Sequence, residues 1–246
     1  MENLELNICH LYPDLLNVYG DYGNILVLKY RCEQRNIKVN ILNVSVNDEF
    51  SPKDYDITLL GGGQDYEQAI VSKDLSNNKK DAIKEYIESE KVFLAICGGY
   101  QLLGNYYTTS KGDKLDGLGI LDIHTESSSY RLIGNVVIYN EEFNENYVGF
   151  ENHSGKTYIG ELKPLGKVIN GLGNNAEDGF EGCIYKNTFG TYLHGALLSK
   201  NPELADRLIK TALKNKYNGE IDLSSINDGL EFKGKDFMIN RLKDKK

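Results

Sequence analysis

A single cysteine, Cys97, stands where the apolar run Val92–Ile96 meets two adjacent glycines, in the stretch FLAICGGYQLLG. A thiol attacks as its thiolate, and a helix N-terminus favours that form through its partial positive charge. Attack on an amide or acyl carbon also needs N–H groups aimed at the oxygen that takes up negative charge. A sharp strand-to-helix elbow supplies both, but it crowds the backbone and so demands small neighbours. Gly98 and Gly99 meet that demand, and the Gly98 N–H is placed to donate to an oxyanion. A second donor must come from a neighbouring strand end. The triple glycine Gly61-Gly62-Gly63 has the position and flexibility for it, with Gly62 the candidate. The plain alternative is a buried structural cysteine followed by ordinary glycine turns.

A thiol nucleophile needs a base, and the chain has four histidines. His10 falls in an apolar strand and reads as a core or edge residue. His124, in LDIHTE, precedes a run of serines and reads as exposed loop. His153, in GFENHSGKTY, fits either a place near the site or a strand-end turn. His194 closes the strand FGTYLH and is followed by Gly195, again at a strand's carboxyl end. A lone histidine there is usually structural; paired with Cys97 on one sheet edge, it becomes the general acid–base candidate.

These residues must be placed by the elements around them. Leu6–His10, Ile37–Val44, Asp56–Leu60 and Val92–Ile96 have strand patterns, with helical spacing over Gly23–Arg35 and Lys79–Glu90. That β-α-β alternation predicts a flavodoxin-like three-layer α/β fold around a mainly parallel sheet, whose ligands sit beyond the strands' carboxyl ends. Cys97 and the triple glycine both fall on that edge. Residues 131–194 are β-rich with glycine and asparagine turns, which predicts antiparallel strands added to the sheet. A helix follows at Asn201-Pro202, where proline suits the first turn. No linker divides the chain, so residues 1–246 read as one domain, with a core of about 6–210 and a helical extension over about 211–246.

Composition narrows the function classes. With 40% hydrophobic and 26% charged residues the chain is an ordinary globular one, and its charge of −8 speaks against a nucleic-acid footprint. No apolar run is long enough to cross a membrane, and the N-terminus lacks a signal-peptide pattern. Four cysteines without a CxxC pair argue against a zinc site or a disulfide framework and for a reducing, cytoplasmic setting. No GxxxxGK[ST] phosphate loop is present.

ICGGYQ resembles the nucleophile elbow of class I, triad-type glutamine amidotransferases, including the glutamine four residues after the cysteine, Gln101. GTYLHG and LLGGGQD are similar to the histidine motif and oxyanion strand of the cobyric-acid-synthase-like branch. NVYGDYGN, GLGILD and GFENHSGKTY resemble a narrower group, the GatD subunits of lipid II isoglutaminyl synthases, which act with a Mur-ligase-like MurT partner. The resemblance spans roughly residues 6–210.

It implies hydrolysis of L-glutamine to glutamate and ammonia through a glutamyl-thioester on Cys97. His194 would serve as general acid and base, and Gly62 and Gly98 would hold the oxyanion. Arg131 would clamp the α-carboxylate of glutamine, for which a planar guanidinium is well shaped; the plain alternative is a strand-edge ion pair. Gln101 would line the pocket. The ammonia would pass to the partner, where ATP and a metal are expected, for amidation of the D-glutamate of lipid II. Other readings are an amidotransferase serving another synthetase, such as one for cobalamin precursors, a non-catalytic binding subunit, or a cysteine peptidase. One departure matters: many of these enzymes carry a glutamate two residues after the histidine, and here that position is Ala196. The expectation is that a partner chain supplies the carboxylate. Tyr19 and Asp21, in NVYGDYGN, either shape the pocket or partner contact, or only hydrogen-bond locally.

Overall fold

In the computed structural model, which describes residues 4–109 and 111–243, the four predicted strands form the heart of one sheet. They are β1 (Glu5–Leu11), β2 (Lys38–Val44), β3 (Ile57–Leu60) and β4 (Val92–Ile96). Two later strands, β11 (Cys183–Tyr185) and β12 (Thr188–Thr191), complete the order β11-β12-β4-β3-β1-β2. All neighbours run parallel except β11 against β12. Every residue of β3 and β4 is buried, as a sheet covered on both faces requires.

The two faces follow from the alternation of side chains along each strand. Leu59, Leu94 and Ile96 point into one core with Ile25 and Leu28 of α1 (Tyr22–Glu33) and Leu204 and Leu208 of α6 (Pro202–Tyr217). Leu60, Phe93 and Ala95 point into the other, with Val71 of α2 (Asp65–Asp74) and Ile83, Tyr86 and Ile87 of α3 (Lys80–Glu88). The helix α2 and the π-helical turn Leu75–Lys79 that joins it to α3 lie, up to Lys79, in a stretch the sequence pattern does not mark as helical.

The β-rich second half does not simply extend this sheet. Only β11 and β12 join it. The strands β5 (Tyr106–Thr108), β6 (Lys114–Asp116), β7 (His124–Asn140), β9 (Gly166–Asn170) and β10 (Phe180–Glu181) form a second sheet, with β8 (Glu145–Tyr158) paired to β7. The long β7–β8 hairpin is pinned to the first sheet where Phe150 and His194 exchange backbone hydrogen bonds of 2.8 and 3.3 Å. Val148 is held there too, by both polar atoms of the buried Asn201 side chain. The second sheet thus reaches the edge on which His194 sits.

The C-terminal helix α7 (Gly229–Lys243) is tied on through charge. Arg31, buried on α1, holds Asp206 of α6 and Asp228 just before α7, each through two hydrogen bonds. Among the described residues no helix is long and apolar enough to cross a membrane.

Candidate active site

Cys97 ends β4 and caps the short helix α4 (Gly98–Leu103), with φ 52° and ψ −108°. That backbone conformation is unfavourable for a residue with a Cβ and is typical of strain held at a functional site. The turn is locked by close approach: the Gly99 N–H donates to Gly61 O at 3.0 Å, and a Cβ on Gly99 would lie 2.4 Å from Leu60 O. Of the four cysteines, Cys97 faces a cavity while Cys9, Cys32 and Cys183 are buried. Burial pushes the Cys32 and Cys183 thiols up to about 12, which leaves them inert.

The four histidines separate by environment. His10 is buried on β1 against Tyr22, and burial holds it down to about 4. His124, expected in a loop, opens β7 and is stacked between Tyr106 and Tyr158. His153 lies within β8, its ring parallel to Tyr192 at 3.6 Å; burial lowers it to about 4 and keeps it neutral. His194 is different. Burial opposes its charge, but Asp21 and the Cys97 thiol outweigh that and raise it well above its ordinary value. The imidazolium form is therefore favoured beside the thiol, the pairing a cysteine nucleophile requires.

Asp21, which the sequence places on the active edge with a pocket, partner or local role, proves to be the carboxylate at His194. It sits in the turn between β1 and α1, fully buried, with Oδ1 3.5 Å from His194 Nδ1. The carboxylate expected from a partner chain is thus present in this one, far from the histidine in sequence. Its signal was legible in part: NVYGDYGN follows β1 and so lies on the active edge. The side chain of Tyr19, in the same segment, lies outside the described residues.

Gly62 is at the centre of this arrangement, though not in the expected way. A Cβ there would stand 3.1 Å from Cys97 Cβ and 3.4 Å from both Asp21 Oδ2 and His194 Cε1. Glycine is what lets the three side chains converge. Its N–H, assigned to the oxyanion from sequence, instead donates to Asp21 Oδ2 at 2.8 Å. The oxyanion role expected for this N–H is therefore not what the structure shows: the loop after β1 brings a buried carboxylate over the glycine, and an anionic acceptor holds an N–H strongly. Gly98 keeps its place in the first turn of α4, where N–H groups lack intrahelical acceptors.

In front of Cys97 lies a cavity of about 700 Å³, within the range of small-molecule sites. Gln101, His153, His194 and Arg131 line it, as does the first turn of α2. Arg131 lies within an irregularity in the β7–β8 pairing, between Ser127 and Leu132. It is exposed, and Asn152 holds it, through Oδ1 at 2.9 Å and its carbonyl at 3.0 Å. The strand-edge ion pair is not what is seen; the guanidinium is oriented by the two neutral oxygens of Asn152. Gln101 is buried and donates to Tyr192 Oη at 2.9 Å, which is in turn 2.6 Å from Thr157 Oγ1. The geometry gives Gln101 a structural tie to the second sheet as well as a place in the cavity wall.

A nucleophile, a charged base with its own carboxylate, a backbone donor and an arginine at one cavity suit acyl transfer from an amino-acid amide. The chain's relatives agree. Residues 7–202 match the model of the CobB/CobQ-like glutamine amidotransferase domain. The lipid II isoglutaminyl synthase (glutamine-hydrolyzing) subunit GatD of Streptococcus pneumoniae is 50% identical over 226 residues, 91% of this chain and 86% of that one. The GatD subunit of Staphylococcus aureus is 45% identical over 237 residues, 96% of both chains. A probable cobyric acid synthase of Methanosphaera stadtmanae is 31% identical over 217 residues, but those make up 43% of its length. Among solved structures, PurLQS from Thermotoga maritima matches in fold, with a TM-score of 0.56 at 16% identity over 87% of this chain and 99% of that one. The chain belongs to the CobB/CobQ-like glutamine amidotransferase family.

Proposed function

We propose that the chain is the glutaminase subunit of a lipid II isoglutaminyl synthase. It would hydrolyse L-glutamine and pass ammonia to a Mur-ligase-like, MurT-type partner in the cytoplasm. The convergence of Cys97, His194 and Asp21 around Gly62 carries the chemical part of this reading. The two GatD relatives, similar over nearly the whole chain, support the pathway.

The Cys97 thiolate attacks the side-chain amide carbon of glutamine, and the Gly98 N–H receives the oxyanion. As the C–N bond breaks, protonated His194 gives its proton to the departing nitrogen, and ammonia leaves. Water then attacks the thioester, His194 takes its proton, the C–S bond breaks, and glutamate is released. Asp21 holds the ring and stabilises its charge through both steps. Arg131 binds the α-carboxylate and Gln101 shapes the pocket wall. ATP and any metal belong to the partner, which activates the D-glutamate carboxylate of the stem peptide.

The test is labelling with a glutamine-analogue electrophile, followed by assay of glutamate and ammonia with and without the ligase partner. Cys97 should be modified, the label should vanish in Cys97→Ala, and lipid II should be amidated only by the pair. An unmodified Cys97 in the complex would overturn the glutaminase reading; glutaminase activity without amidation of lipid II would overturn the pathway.

A further inference from the structure

Glutamine carries an α-ammonium beside the α-carboxylate that Arg131 is proposed to bind. An ammonium offers N–H donors and no acceptor, so a site that selects it must present oxygens without donors of their own. The first turn of α2 forms the cavity wall that does so. Gln68 is 3% exposed and lines the cavity. Its Nε2 is committed to Gly63 O at 3.0 Å, while its Oε1 is buried and without a hydrogen-bond partner. Next to it Glu67 also lines the cavity, and its Oε2 is buried without a partner. Two unsatisfied acceptors on consecutive residues of one cavity-lining turn, one of them a carboxylate oxygen, are costly to keep unless a donor arrives. Gln68 is also close to the chemistry: a Cβ on Gly98 would lie 2.4 Å from its Nε2.

We infer that Glu67 and Gln68 form the subsite for the α-ammonium group of the substrate, in the cavity that Arg131 also lines. The two ends of the amino-acid head are then read by different elements, the acid by β7 and the amine by α2. This deepens the glutaminase reading and rests on it. It also gives the enzyme a means of rejecting amides that lack an α-amine.

The test compares L-glutamine with glutaramate, which keeps the carboxylate and the amide and lacks the amine. KM for glutamine and the competitive Ki of glutaramate are measured on the full chain with its ligase partner. Glu67→Gln should raise KM for glutamine about 30-fold, the scale of one charge-assisted hydrogen bond, with the Ki of glutaramate changed less than about threefold. Glu67→Asp should recover part of the loss, which a damaged fold would not. Gln68→Met should weaken glutamine selectively in the same way. Equal losses for both ligands, or a parent protein that binds both equally well, would overturn the subsite. If neither ligand binds and Cys97 resists labelling, the glutaminase reading fails, and the subsite with it.

Discussion

Replacing Asp21 by asparagine isolates the charge of one carboxylate at the centre of the site. The new side chain has the same shape, and its carbonyl oxygen can still accept the Gly62 N–H that Asp21 Oδ2 now holds at 2.8 Å. What is lost is the negative charge 3.5 Å from His194 Nδ1, with both side chains fully buried. At that distance and an effective dielectric of about 20, the attraction between unit charges is about 4–5 kcal/mol. At 1.36 kcal/mol per pH unit this corresponds to a fall of about three units in the His194 pKa. The folded value stands near 10, above the ordinary 6.5, because Asp21 and Cys97 outweigh burial. The sign follows: the pair's contribution to stability is complete below about pH 6.5 and is lost as pH rises through the folded value. In Asp21→Asn the alkaline limb of kcat should therefore move down by about three units, and kcat at neutral pH should fall by about 10²-fold or more as the histidine loses its proton and its orientation. Titration of His194 by NMR and a pH–rate profile of glutamate release check both. A His194 titration within half a unit of the parent, with activity retained, would refute the view that Asp21 completes the site from within the chain.

Gly62→Ala should reduce kcat by about tenfold to a hundredfold, because its Cβ would press on Cys97 at 3.1 Å and on His194 at 3.4 Å. Its melting temperature should change little, and an unchanged kcat in the folded variant would contradict the geometry. Arg131→Ala should raise KM for glutamine about tenfold or more, with Arg131→Lys a poor replacement, since Asn152 orients a planar fork and not a point charge. Arg131 is exposed, so thermal unfolding should be almost unchanged. Arg31→Met should destabilise the fold by about 3 kcal/mol in urea unfolding by leaving the part-buried Asp228 without its cation, while Asp206 keeps its contact to Arg35. Glutamine turnover at low temperature should survive it, because Arg31, Asp206 and Asp228 do not line the cavity in front of Cys97.

Much of the first sheet was legible because its signals are local. The strand Val92–Ile96 is a short apolar run closed by glycines, and the structure returns the same boundaries. Cys97 could be singled out for the same reason: a strand end, a thiol and two glycines are consecutive. The second half was harder. Alternating residues announce strands but not their partners, and β7 chose β8 and β9 over the edge of the first sheet. His124 and His153 were misplaced or left open for that reason, since their surroundings are set by aromatic rings from other strands.

The sequence by itself determined the elbow, the parallel β-α-β order and the pair of residues, Cys97 and His194, that had to meet on one sheet edge. Periodicity and glycine placement act over a few residues, so they can be read from a few residues. Only the tertiary structure decided that Asp21 would be the carboxylate at His194, and that the Gly62 N–H would be turned to Asp21. Those facts depend on the β1–α1 loop, the glycine turn after β3 and the end of β12 arriving at one point. Their separation along the chain is bridged by strand order alone, and strand order is fixed by burial of two whole faces rather than by any motif.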